Sequence, residues 1–147
     1  MPHAFAATRP VNTPGMTPVI TEEQLWKGLE YKARNPQAFV PAITSCKVTV
    51  DEGDSLTREV TFAFLPPGKV ITETIQSYPS TIVYFEMDTG GRVTNTVSSG
   101  PDGELLLTYA FAGEIPGVPP NEPKPSAEQL NAMVGGTIEG SLETHAS

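Results

Sequence analysis

Four polar side chains fall where the strand pattern of this chain calls for apolar ones. The stretch Leu56-Thr57-Arg58-Glu59-Val60-Thr61-Phe62-Ala63-Phe64 alternates with a period of two, the mark of a half-buried strand. One face carries Leu56, Val60, Phe62 and Phe64, and Arg58 interrupts it. A permanent cation on a core face needs a carboxylate, a ligand or an exit to water. If the apolar sides of the strands face a pocket, Arg58, Glu73, Asn95 and Tyr109 are the polar residues on four inward faces. Pairing Val60 with Glu73 in a hairpin keeps both apolar faces on one side and sets Arg58 diagonal to Glu73, within reach of long side chains. In such a place Glu73 is a candidate base, Tyr109 a candidate proton donor, and Arg58 and Asn95 candidate hydrogen-bonding groups. A second reading stands beside this one: Arg58 and Glu73 form a structural pair that satisfies only itself.

The elements that must position these residues are marked by turns and caps. Residues 3–12 read as a first strand, ended by Pro14-Gly15. Thr21-Glu22-Glu23-Gln24 is a capping box, with Ile20 and Leu25 as its hydrophobic staple. The helix it opens carries Trp26, Leu29 and Ala33 on one face and stops at Asn35-Pro36. A short helical turn is expected over Gln37 to Val40. From residue 43 the period is two, with Cys46, Val48 and Val50 on one side. Strands follow over Val70–Ser77, Thr81–Met87, Arg92–Ser98 and from Leu105 through Phe111, separated by Gly- and Pro-rich turns such as Thr89-Gly90-Gly91. Residues 113–125 form a linker. Ser126-Ala127-Glu128-Gln129 opens a last helix with Leu130, Met133, Val134, Ile138 and Leu142 at helical spacing. Gly135, Gly136 and Gly140 weaken it by roughly 1 kcal/mol each, so an end near Leu142 is expected. A helix that short would leave apolar surface for a second copy of the chain, a homodimer. A glycine-bearing helix face can also leave room for a ligand.

The order is strand, helix, about six antiparallel strands and a helix. It describes an α+β fold in one domain over residues 1–147, with a pocket between sheet and terminal helix. Aromatic and long apolar residues that would line the pocket are Trp26, Phe39, Phe62, Phe64, Phe85, Phe111 and Met133, although for each one alone the core reading is favoured.

Bulk properties narrow the function classes. A chain of 147 residues with 13 Gly and 15 Pro suits short elements joined by many turns. The net charge of −8 argues against nucleic acid and anionic membranes as partners. No apolar run reaches the length of a membrane span, and the start shows no basic-then-apolar leader. The single cysteine, Cys46, excludes an internal disulfide and suits a cytoplasmic setting. With no histidine near in sequence to activate it, Cys46 reads as inert. His3 and His145 lie at the termini and make poor ligands or bases. No metal spacing, phosphate loop or calcium loop is present, so no cofactor is expected.

Several blocks in order carry a resemblance. They are Asn12-Thr13-Pro14-Gly15-Met16, Leu25-Trp26-Lys27-Gly28-Leu29, Ala33-Arg34-Asn35-Pro36, Phe39-Val40-Pro41, Ser45-Cys46-Lys47-Val48, Arg58-Glu59-Val60-Thr61-Phe62, Asn95-Thr96-Val97-Ser98 and Leu107-Thr108-Tyr109. Together they resemble the AtaL-like family of the START-like (SRPBCC, helix-grip) superfamily, which includes the birch pollen allergen. The resemblance spans nearly the whole chain. It implies a curved sheet of about seven strands wrapped around a long C-terminal helix, with an apolar cavity between. In the wider superfamily such cavities bind lipids, steroids and polyketides, and some catalyse cyclisation or dehydration. The expected ligand is therefore a small hydrophobic molecule: polyketide, aromatic or isoprenoid. Three roles follow: a cofactor-free cyclase, dehydratase or isomerase of natural-product biosynthesis, a non-catalytic carrier of a hydrophobic metabolite, and a partner-binding module.

Overall fold

A computed structural model describes residues 3–15, 19–115, 118 and 121–146, side chains of 143–146 excepted, so the His145 side chain lies outside the described residues. Strand β1 (His3–Pro10) comes first, then helix α1 (Glu22–Arg34) and a 3-10 turn (Pro36–Ala38). Strands β2 (Ile43–Asp51), β3 (Ser55–Phe62), β4 (Ile71–Tyr78), β5 (Ile82–Met87), β6 (Arg92–Ser99) and β7 (Leu105–Gly113) follow, and helix α2 (Ala127–Ala146) closes the chain. The sheet is antiparallel in the order β1-β7-β6-β5-β4-β3-β2. β2 to β7 pair with their neighbours in sequence, as local hairpins require. β1 lies at one edge and β2 at the other, so α1 and the 3-10 turn carry the chain across the sheet between them.

Both capping boxes form. Thr21 Oγ1 accepts from the Gln24 amide at 3.2 Å while the Gln24 side chain accepts from the Thr21 amide at 3.0 Å. Ser126 and Gln129 repeat the arrangement at 3.2 and 3.1 Å. In α1 the acidic Glu22 and Glu23 sit in the first turn and the basic Lys32 and Arg34 in the last, both favourable to the helix dipole. Arg34 grips the β2–β3 hairpin through both oxygens of Asp51, at 2.9 and 3.1 Å, and the Gly53 carbonyl. Hydrogen bonding to Arg34 holds the Asp51 carboxyl below its usual value. The end of α1 is thereby fixed against the sheet.

Two expectations need correction. The register of β3 on β4 places Arg58 directly opposite Glu73 and Val60 opposite Ile71, not Val60 opposite Glu73. The difference is two residues, which leaves every side chain on its face, so alternation alone could not detect it. The terminal helix does not stop near Leu142: it runs 20 residues to Ala146, through all three glycines. Leu130, Val134, Ile138 and Leu142 are all buried, and their packing outweighs the weak local propensity. Among the described residues no helix is long and apolar enough to cross a membrane.

Gly135 has a specific reason to be glycine. The Arg9 guanidinium of β1 lies over it, donating to the Asn131 carbonyl at 2.9 Å and to Glu139 at 2.9 Å, and a Cβ at Gly135 would lie 1.8 Å from Arg9 Nη2. At Gly136 a Cβ would meet nothing within 4 Å. Gly136→Ala should therefore raise stability by about 0.5–1 kcal/mol through helix propensity alone. Gly135→Ala should gain less, because the same propensity gain is offset by displacing the Arg9 guanidinium from α2. Urea midpoints of the two variants test the difference.

Candidate functional site

The inner face of the sheet is set by strand alternation, and it brings all four polar candidates into one interior. Arg58, Glu73, Asn95 and Tyr109 are all buried, with Asn95 the least exposed at 1%. Arg58 faces Glu73 across β3–β4, and Asn95 faces Tyr109 across β6–β7. All four line one cavity of about 600 Å³. Its floor is the inner face of β3 to β7, where Phe85, Val93 and Phe111 add apolar surface. One wall is the segment from Ala38 to Ile43 after α1, with Phe39 at its centre. The other is a stripe of α2: Met133, Gly136, Thr137 and Gly140. These four recur at helical spacing, offset from the buried Leu130–Leu142 stripe. Two of the four have no side chain, which leaves the helix wall shallow and the space open.

Arg58 is answered from two directions. Its Nε and Nη2 both reach Glu73 Oε1, at 2.9 and 2.8 Å, and its Nη1 donates to the Ala33 carbonyl at 2.7 Å. Ala33 lies in the last turn of α1, where carbonyls lack partners within the helix. One side chain thus joins β3, β4 and the end of α1. Phe85 adds a ring face 5.3 Å from the guanidinium carbon. Among the described residues no donor reaches the second oxygen of Glu73. The structural pair therefore exists, yet Glu73 keeps one oxygen beside the cavity.

Tyr109 belongs to a second polar chain. Lys32 Nζ donates to Tyr109 Oη at 2.6 Å, and Tyr109 Oη donates to Ser141 Oγ at 3.0 Å. Lys32 comes from α1 and Ser141 from α2, so this chain spans both helices and the sheet. Neither residue was expected from the sequence as a site residue. The signal was helical spacing. Lys32 follows Leu25 by seven residues and Leu29 by three, and Ser141 follows Val134 and Ile138 in the same way. Asn95 Oδ1 is buried with no hydrogen-bond partner, a rare state for an amide oxygen.

Of the apolar candidates, Phe39, Phe62, Phe85, Phe111 and Met133 line the cavity. Trp26 does not. It is buried in the main core, six residues before Lys32, about 9 Å along the helix axis from where α1 reaches the cavity. Phe64 does not line it either. β3 ends at Phe62, so Phe64 sits in the following turn, 59% exposed, with its ring 5.1 Å from that of Phe62. Cys46 is half-buried and outside the cavity, and burial pushes its thiol pKa up, with Glu73 adding to the rise and Arg58 opposing it. Among the described residues no three metal-ligating side chains come together.

A family model described as "AtaL: Acetylaranotin biosynthesis cluster protein L" matches residues 5–145. No curated protein matches the chain in sequence. Among solved structures, the chain is similar to the di-domain ARO/CYC StfQ from the steffimycin biosynthetic pathway, with a TM-score of 0.64 and 12% identity. The match covers 97% of this chain and 49% of that one, so this chain spans about half its length. At this identity the likeness is one of fold.

The Arg58–Glu73 pair makes a stability prediction. Arg58→Met leaves a buried carboxylate unanswered and should cost about 3–5 kcal/mol, whereas the double change Arg58→Met with Glu73→Met should recover most of that loss. Denaturant unfolding of the single and double variants measures the difference. Asn95→Leu removes an unpaired buried acceptor, so a rise in melting temperature is expected, the reverse of the usual result for a core substitution.

Proposed function

This chain belongs to the AtaL family, and from that premise we propose that it binds a small hydrophobic molecule, aromatic or polyketide in character, and promotes its cofactor-free cyclisation and dehydration. The observation that carries the reading is the open cavity of about 600 Å³ with Arg58, Glu73, Asn95 and Tyr109 on its floor. Cavities for drug-sized ligands run from about 300 to 1,000 Å³, mostly apolar with a few convergent polar groups. A core built only for stability would fill that space. The fold shared with an ARO/CYC protein supports the same class.

A chain of alternating carbonyls and methylenes shows what these groups would do. Cyclisation removes a proton from a methylene between two carbonyls. The resulting carbon attacks a distant carbonyl carbon, and the new alkoxide takes up a proton. Loss of water then forms a double bond. The cavity wall folds the chain so that the two carbons meet, which supplies much of the rate. In this reading the free oxygen of Glu73 takes the methylene proton, Arg58 steadies the charge on the adjacent carbonyl oxygen, and Tyr109 protonates the alkoxide. Asn95 accepts from a substrate hydroxyl and fixes the fold of the chain.

Titration with N-phenyl-1-naphthylamine, a neutral dye that brightens in apolar sites, tests the cavity. One dye per chain should bind, and Val93→Trp, which fills the cavity from its floor, should abolish the signal while the protein stays folded by circular dichroism. A linear poly-β-ketone then separates enzyme from carrier. Wild type should convert it to a product lighter by one water, and Tyr109→Phe should bind it without conversion. Binding with no conversion by wild type would leave the carrier role. No dye binding, or undiminished binding to Val93→Trp, would remove the cavity from the account.

A further inference from the structure

Among the described residues, the charges that line the cavity do not balance. Lys32 and Arg58 are both buried and both line it. Among the described lining residues Glu73 is the carboxylate that answers them, and its bonded oxygen is taken twice by Arg58. Lys32 Nζ has no carboxylate of the described residues at ion-pair distance. What it has is the Tyr109 oxygen at 2.6 Å and two aromatic faces, Tyr109 at 4.2 Å and Phe85 at 5.9 Å from the ring centroids. An ammonium carries three donors, and among the described residues one of these is used. Ring faces soften the burial of a cation without neutralising it.

The surplus is local. The chain as a whole carries a net charge of −8, so a cavity whose described lining holds two cations and one carboxylate runs against the sign of the protein that holds it. A buried cation is costly unless something pairs with it. Here the position is also reachable, because Lys32 lies on the open cavity and not in the packed core. A ligand bringing one negative charge would complete the balance and replace water on the unused donors. On the sheet floor, opposite the Tyr109 that Lys32 bonds, Asn95 Oδ1 is 99% buried by residue and has no partner among the described residues.

We propose that the ligand of this cavity is an aromatic or polyketide-like acid whose carboxylate pairs with Lys32. The proposal rests on the cavity being a ligand site and names the chemical class that the site takes. Lys32 becomes the residue that sets which end of the ligand lies under α1. The apolar body extends toward Phe39, Phe111 and the glycine stripe of α2.

Isothermal titration with 2-naphthoate and with its neutral methyl ester tests this at neutral pH. Wild type should bind the carboxylate at least about tenfold more tightly than the ester, the difference expected for one charge-assisted pair in a dry site. Lys32→Met, similar in length and apolar, should bind both probes alike while keeping its affinity for the ester. Equal binding of both probes to wild type overturns the proposal and leaves the apolar cavity intact as a ligand site. A carboxylate preference that survives in Lys32→Met also overturns it, since Arg58 would then supply the charge. Failure of both probes and of the neutral dye to bind wild type overturns the ligand site and this inference together. The wild-type comparison decides the matter even if the variant does not fold.

Discussion

A guanidinium on the inner face of a curved sheet must be answered from inside, and much of this structure follows from how Arg58 is answered. Glu73 comes to it from the adjacent strand, and the last turn of α1 brings the Ala33 carbonyl. The first contact holds β3 and β4 in one register. The second seats the helix that crosses the sheet. The pair also divides the interior: Leu56 and Ile75 on one side belong to the main core, and Val60 and Ile71 on the other belong to a smaller cluster with Ile43. Ionic groups of this kind add little net stability against a well-packed apolar substitute. What they contribute here is position, because the cavity lies where the two clusters fail to merge.

The cavity itself reflects a choice of residue size. The α2 stripe facing it carries Gly136 and Gly140, and the opposite wall begins with Ala38 and Ala42. Larger residues at these places would extend the core. Among the described residues the same interior holds an amide oxygen without a partner and a lysine without a carboxylate. Each lowers stability, and in the proposed function each gains a partner when a ligand of matching polarity enters. Concentrating such costs in one open space, while Leu25, Leu29, Ile75, Leu107, Leu130 and Ile138 are fully packed elsewhere, is the pattern of a site and not of a poor core.

Much of this was legible in the chain because it is local. Strand alternation put Arg58, Glu73, Asn95 and Tyr109 on inward faces, and hairpin turns made their strands neighbours. Capping boxes placed both helix starts. The misses have a common cause. A two-residue slip of β3 on β4 conserves every face, so pattern alone could not choose it. Phe64 continues the alternation past the end of its strand, where the turn leaves it mostly exposed. Trp26 shares a helix with Lys32 but lies nearly two turns from the cavity. Polar residues on helices are usually solvated, but Lys32 and Ser141 fall at the spacing of the buried helix faces, and that spacing is their signal in the chain.

The sequence by itself determined the element order, the antiparallel meander and the side of the sheet on which the polar residues lie. Each depends on periodicity or on a turn, and both act over a few residues. Only the tertiary structure decided that Arg58 takes its second partner from the end of α1, that Tyr109 meets Lys32 and Ser141, and that α2 continues through three glycines. These contacts join residues 25, 77 and 32 positions apart, or rest on burial of a whole helix face. No local rule encodes such distances. They follow from how a curved sheet and two helices share one interior.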